Sequence, residues 1–300
     1  MRVLVTGAAG FLGRHVVAAL GRQRHEVLRL TRGPLDGADP RLVQWDPARG
    51  TVDPAALEGL DAVVHLAGEG IADARWSDAV KQRLRDSRIR GTRVLVDALA
   101  ARERLPKVFL SASAVGYYGD RGSEDLSESS PAGTGFLPSL CQDWEAECAR
   151  AGALGMRQAH LRLGTVLAPD GGVLQRTLLP FKLGAGGRLG NGRQWMSWIA
   201  LPDAVGAVLH LLGREASAGA YNLTSPNPVT NSQYTQSLRR ALSRPALIPV
   251  PAFALRLAFG EMADALLLSS QRALPVRLKA EGFRWQLPFI GEALNRLLQP

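Results

Sequence analysis

Cysteine is scarce in this 300-residue chain: only Cys141 and Cys148 occur. They stand seven residues apart in a stretch whose spacing reads as helix, roughly 10 Å along its axis. That is too far for a disulfide, so both are expected to be free thiols of a reducing compartment. No uncharged run reaches the ~18 residues of a membrane span. A core strand begins one residue after Met1, leaving no room for a secretory leader, so the expected location is cytoplasmic. Lysine is nearly missing as well, at Lys81, Lys107, Lys182 and Lys279 alone, so the net charge of +9 rests on arginine. No block of five or six like charges accompanies it and no basic tail. Scattered surface arginine and an anionic small ligand explain the balance better than nucleic acid, which is not an expected partner. The five histidines show no metal-ligand spacing with each other or with cysteine, so no metal is expected. There is no Gly-x-Ser-x-Gly elbow, no internal repeat, no long linker and no low-complexity tract.

What is present is an alternation of apolar strands and amphipathic helices. Arg2 to Thr6 (RVLVT) reads as a buried strand, Arg14 to Arg22 as a helix and Glu26 to Thr31 (EVLRLT) as a second strand. Further strands are read at Leu42 to Trp45, Ala62 to Leu66, Lys107 to Leu110 and Gln158 to Leu163. Helices are read at Trp76 to Ala101 and Leu137 to Ala151. The fold class this implies is α/β, a Rossmann-type doubly wound parallel sheet. Gly219 to Thr224 reads as a strand that can rejoin the sheet. From Pro226 onward prolines punctuate short helices. The expected division is a nucleotide-binding domain at 1–225, with a substrate-side loop at about 171–200, and a smaller, mainly helical cap at 226–300.

Gly7-x-x-Gly10-x-x-Gly13 lies directly between the first strand and the first helix. In that context Gly7 permits a tight turn, Gly10 lets backbone approach a pyrophosphate and Gly13 lets helix and strand pack closely. The helix start at Phe11 and Leu12 offers its N–H groups to the phosphates. The second strand ends Leu30-Thr31-Arg32, with no carboxylate to bind ribose hydroxyls. Arg32 can pair with a 2′-phosphate and Thr31 can donate to it, so NADP(H) is expected over NAD(H). Leu66-Ala67-Gly68-Glu69 closes the fourth strand with small residues that suit the adenosine side of the cofactor. Asp46 is read either as an acceptor from adenine or as a solvated turn residue.

These residues resemble the extended short-chain dehydrogenase/reductase superfamily, the group of NAD-dependent epimerases and dehydratases. The matching pieces are TGAAGFLG at 6–13, DAVVHLAG at 61–68 and SASAVGYYG at 111–119. Within it the chain is similar to a branch called epimerase family proteins. That likeness is carried by Glu69, SRIRGT at 87–92, RLGTVLAPDGGVL at 162–174, LLPFKLGAGGRLGNGRQWMSWI at 178–199 and GEMADALLLSSQRALP at 260–275. The resemblance implies a Rossmann fold with a C-terminal substrate-side cap, NADP binding, and approach of Arg88 and Arg83 to the cofactor.

Reductases of that superfamily use Tyr-x-x-x-Lys on the helix after the fifth strand, where the ammonium lowers the phenol pKa and the phenol moves the proton. Here Glu145 aligned with the family's Glu puts Leu137 at the Tyr position and Cys141 at the Lys position, and no Tyr-x-x-x-Lys occurs anywhere in the chain. Ser113, with Ser111 as second choice, is read as the serine that holds the substrate oxygen. Tyr117, Tyr118 and Cys141 are the candidate replacements for the missing acid, each against a packing role. Arg193, Gln194 and Trp198 are candidate substrate contacts beside a glycine-dense, mobile loop at Gly184–Gly192. The reading is therefore an NADP(H)-binding oxidoreductase or epimerase-like enzyme acting on a small polar molecule, as a monomer or homodimer. The alternative is a catalytically silent NADP(H)-binding sensor or interaction protein.

Overall fold

The structure, a computed structural model, describes residues 1–33, 39–246 and 248–299. In chain order its strands and helices are β1 (Arg2–Thr6), α1 (Phe11–Arg22), β2 (Glu26–Thr31), β3 (Leu42–Asp46), β4 (Thr51–Val52), β5 (Ala62–His65), α2 (Asp78–Ala100), β6 (Val108–Ala114), β7 (Asp125–Leu126), α3 (Phe136–Ala153), β8 (Arg157–Leu163), β9 (Thr165–Ala168), α4 (Gly172–Lys182), β10 (Trp195–Met196), β11 (Trp198–Ala200), α5 (Leu201–Gly213), β12 (Gly219–Leu223), β13 (Val229–Thr230), α6 (Asn231–Leu242), α7 (Ala252–Phe259), β14 (Arg272–Ala273), α8 (Val276–Ala280) and α9 (Ile290–Leu298). A π-helix covers Ala263–Leu268.

An eight-stranded sheet runs in the order β12-β8-β6-β5-β1-β2-β3-β4. β1 pairs in parallel with β2 on one side and β5 on the other, β2 with β3, and β5 with β6. β4 turns back antiparallel on β3. The strand order reverses at β1, the switch point at which α/β sheets bind ligands beyond the carboxyl ends of their strands. Val3, Leu4, Val5, Val63 and Val64 have no exposure because helices cover both faces, which is why these strands read as continuous apolar runs. As read from the sequence, the fold is a doubly wound Rossmann sheet, and the Gly219 strand joins it as β12 at its edge.

The chain falls into two compact units. The first comprises 1–113, 140–161 and 205–220, and the second 114–139, 162–204 and 221–300. The second unit is built on short pairs, β10 with β13, β11 with β9 and β14 with β7. Their core holds Leu167, Leu174, Phe181, Trp198, Tyr234 and Leu294. Helix α6 starts on a reciprocal cap, in which Thr230 Oγ1 accepts from Gln233 N and Gln233 Oε1 accepts from Thr230 N.

The glycine-dense segment differs from the mobile loop read in the sequence. Much of what precedes it is helix α4. Its glycines serve close backbone approach: a Cβ on Gly187 would fall 1.8 Å from Ile248 O. Gly190 N donates to Val250 O and Val250 N to Arg188 O, which ties the segment down.

Candidate functional site

The first unit carries the nucleotide-binding features. After β1 the chain turns at Gly7, whose φ of +64° is a left-handed conformation that glycine adopts without strain. A Cβ there would also lie 2.7 Å from Leu66 O, and one on Gly13 would lie 2.1 Å from Gly7 O. Both positions are therefore closed to any side chain, and β1, the turn, α1 and the end of β5 come together as backbone. Gly10 N–H donates to Gly7 O at 2.9 Å, which shuts the turn. Gly10 then caps α1 with no side-chain bond, and the first helical turn holds no acidic residue. The positive end of the helix dipole and its orphan N–H groups are left for an anion.

That turn opens onto a groove of about 710 Å³ in the same unit. Nine residues named from the sequence line it: Gly7, Gly10, Thr31, Arg32, Leu66, Ala67, Gly68, Glu69 and Arg83. Arg32 is exposed at the exit of β2, and Thr31 Oγ1 accepts from Gly33 N. Asp46 is also on the wall, with Oδ1 accepting from the N–H groups of Ala48 and Arg49. Phe11, Leu12 and Gly13 form the first turn of α1. Arg88 is not among the residues that line the groove. It donates to Glu69 O at 2.9 Å and to Leu84 O at 3.1 Å, with its guanidinium 5.2 Å from the Trp144 ring centre. Burial lowers its pKa. A Cβ on Gly68 would lie 3.3 Å from Arg88 Cζ, so the guanidinium packs close against this backbone as well as bonding Glu69 O. Arg83 pairs with Glu69 at 3.3 Å.

A buried chain of side-chain bonds holds the ends of β1 and β5 to α2 and α3. Thr6 Oγ1 accepts from the N–H groups of Leu66 and Ala67, so both lone pairs are used and its hydroxyl donates to His65 Nδ1 at 2.7 Å. His65 must then be the Nε2–H tautomer, donating to Thr92 Oγ1 at 3.0 Å. Thr92 also accepts from Trp144 Nε1 and donates to Arg88 O. Burial holds the His65 pKa down at about 4, which keeps the ring neutral. The sequence reads His65 as a packed, hydrogen-bonded histidine inside a strand, and so it is; its partners Thr6 and Thr92, 59 and 27 residues away, could not be read.

Ser113 closes β6 and is 2% exposed. Its Oγ donates to Glu145 Oε1 of α3 at 2.7 Å. One turn on, Cys148 Sγ donates to Ser111 Oγ, and burial pushes that thiol up to about 12. Cys141 is buried on the same helix, and both cysteines are free thiols as expected. Leu137, Cys141 and Glu145 follow at intervals of four, so one stripe of α3 carries an apolar residue, a thiol and a carboxylate. Glu145 is the group the sequence reading passed over. Its spacing from Leu137 was visible, but its bond to Ser113 joins residues 32 apart.

The two tyrosines belong to the second unit. Tyr118 has no exposure; its hydroxyl donates to Asn222 Oδ1 at 2.7 Å and accepts from Arg162 Nη1 at 3.0 Å. Burial raises its pKa. Both roles of the phenol are thus taken within the fold. Tyr117 is half-buried, with the Arg162 guanidinium 3.5 Å from its ring centre. Of the candidate substrate contacts, Gln194 lines a cavity of the second unit, Arg193 is exposed, and Trp198 is fully buried with Nε1 donating to Asn227 O. Among the described residues no cluster of three or more His, Cys, Asp or Glu could hold a metal ion, and no helix is long and apolar enough to cross a membrane.

A switch-point glycine turn and an uncapped helix on a doubly wound sheet define a Rossmann-type protein. The model of the NAD dependent epimerase/dehydratase family matches residues 3–224, and that of a domain of unknown function, DUF1731, matches residues 250–297. The chain belongs to the NAD dependent epimerase/dehydratase family. An epimerase family protein of Mycobacterium tuberculosis is 45% identical over 98% of this chain and 96% of its own. The crystal structure of human epimerase family protein SDR39U1 with NADPH is 33% identical, covers 99% of both chains and superposes with a TM-score of 0.91. A nucleoside-diphosphate sugar epimerase from Corynebacterium glutamicum is also 33% identical, with a TM-score of 0.80, over 99% of this chain and 58% of that one.

Proposed function

We propose that the groove of the first unit holds NADP(H) in preference to NAD(H), and that the protein is an oxidoreductase or epimerase-like enzyme for a small molecule. The observation that carries this reading is the uncapped, acid-free start of α1 opening onto a groove whose far strand ends in Thr31 and Arg32 rather than a carboxylate. The free N–H groups of the first helical turn, at Phe11 and Leu12, take the pyrophosphate. Arg32 and Thr31 take the 2′-phosphate, and the Leu66–Glu69 backbone, against which Arg88 packs, takes the adenosine side. Arg83 adds positive charge on the rim. The NADPH held by the human relative supports the phosphorylated form.

When bound, the nicotinamide supplies or accepts hydride. The proton falls to this chain's own residues. Because Ser113 Oγ gives its hydrogen to Glu145, its lone pairs are free to accept from a substrate hydroxyl. A proton taken from that hydroxyl passes through Ser113 to the carboxylate, and returns the same way for reduction. This pair stands in for the absent Tyr and Lys; the Tyr118 phenol is committed elsewhere. Residues 226–300 we take as a smaller, mainly helical cap domain.

A second reading, a silent NADP(H)-binding protein, is favoured by one observation: Leu137 and Cys141 occupy the positions of the usual acid pair. Titration calorimetry with NADPH, followed by turnover of a carbonyl and alcohol panel by the native protein and Glu145→Gln, separates the two. The expected result is nucleotide binding by both proteins and a loss of about 100-fold in kcat for the variant. No nucleotide binding defeats the first reading. Binding with no turnover on any substrate defeats the catalytic one.

A further inference from the structure

The second unit contains a cavity of about 150 Å³ that the nucleotide groove does not use. Its wall contains no Asp, Glu, Lys, Arg or His. Apolar faces come from Val115, Phe181, Leu189, Met196, Leu266 and Leu267. Arg272, which stacks on the wall residue Trp195 at 4.5 Å, is paired with Asp125 and is not part of the lining.

Three polar wall residues keep hydrogen-bonding capacity. Gln194 is 8% exposed and spends both amide hydrogens, on Leu189 O and Leu267 O. Among the described residues nothing donates to its Oε1, so that oxygen is what it can offer. Asn231 uses Oδ1 to accept from Leu189 N, which leaves its NH₂ as a donor. Tyr234 is 4% exposed, and burial raises its pKa, so it is a neutral phenol. Thr177 Oγ1 gives its own hydrogen to the Val173 or Leu174 carbonyl, so Tyr234 is the donor in their long 3.4 Å contact and keeps its lone pairs. Leu266 and Leu267 come from the π-helix, a rare widened turn that recurs at functional sites. The Leu267 carbonyl it frees is what fixes the Gln194 amide.

We infer that this cavity is a binding site for a small uncharged molecule, of about the size of a substituted benzene ring, that carries both a hydrogen-bond donor and an acceptor. A cavity of this volume holds a benzene-sized guest. A carboxylate or diphosphate would lose its hydration with no cation to face, a cost that apolar contact does not repay. The site is therefore not one for a nucleoside-diphosphate sugar, the class named for the Corynebacterium neighbour. The inference stands whether or not the first unit takes a nucleotide, since it rests on the wall of the second unit alone.

The probes are benzamide, its isosteric anion benzoate, and UDP-glucose, titrated into the full-length protein by calorimetry and ligand-observed NMR. Benzamide should bind with a millimolar or better Kd, and benzoate on the order of 100-fold more weakly. UDP-glucose should not displace benzamide. Tyr234→Phe, which keeps the volume, should weaken benzamide about threefold to tenfold, and Thr177→Phe, which fills the space, should abolish binding. NADPH titration of each variant reports separately on the nucleotide groove, and circular dichroism on the fold. Equal binding of benzoate and benzamide overturns the inference. So does displacement by UDP-glucose, undiminished binding to a folded Thr177→Phe, or failure of benzamide to bind at all.

Discussion

Gly13 and Gly21 occupy the same helix, α1, in opposite circumstances, and exchanging each for alanine isolates what the turn requires. An added Cβ at Gly21 meets nothing within 4 Å, whereas at Gly13 it would lie 2.1 Å from Gly7 O, 2.8 Å from Gly7 C and 3.1 Å from Ala8 Cα. Those atoms are backbone, so no side chain can swing aside. The start of α1 or the Gly7 turn has to move by about 1 Å to restore an ordinary contact. Gly21→Ala should gain about 0.5–1 kcal/mol, because it removes unfolded-state freedom and improves helix propensity. Gly13→Ala collects the same gain and loses about 1–3 kcal/mol to overpacking. The two variants should therefore differ by about 1–3 kcal/mol in urea denaturation, with Gly21→Ala the more stable. The same 1 Å displacement moves the helix N–H groups away from a bound pyrophosphate, so NADPH affinity should fall at least about tenfold for Gly13→Ala and stay unchanged for Gly21→Ala. Equal stability of the two variants, together with native NADPH affinity in Gly13→Ala, would refute the packing argument and the placement of the phosphate with it.

Two further outcomes follow from the same unit. His65 is neutral in the fold with its pKa near 4, against 6.5 when unfolded. Between those values the unfolded chain binds a proton that the folded one refuses, so stability rises with pH there. The contribution is complete above pH 6.5 and is lost as pH falls towards 4, on the order of 3 kcal/mol in all. NMR of the ring should show the Nε2–H tautomer and no protonation down to pH 5; titration of the folded protein near 6.5 would contradict the hydrogen-bond accounting. Arg32→Ala should cost NADPH about tenfold or more in affinity and leave NADH nearly unchanged, and equal losses for the two nucleotides would remove Arg32 from the 2′-phosphate.

The sequence by itself determined the Rossmann half of this protein. RVLVT followed by Gly7-x-x-Gly10-x-x-Gly13 is legible because strand burial, the left-handed turn and close helix packing are each dictated by local residue type. The edge strand β12 was also legible, in Gly219 to Thr224. Tertiary structure alone decided the rest. Glu145 reaches Ser113 and Arg162 reaches Tyr118 across separations of 32 and 44 residues, and pairings of that range leave no local periodicity to read. The glycines of 184–192 show the limit most clearly. Their composition suggested mobility, while the fold uses the same missing side chains to bring Gly187 against the Ile248 backbone. Glycine permits both, and only the Ile248–Val250 segment, brought in from about sixty residues further along the chain, chooses between them.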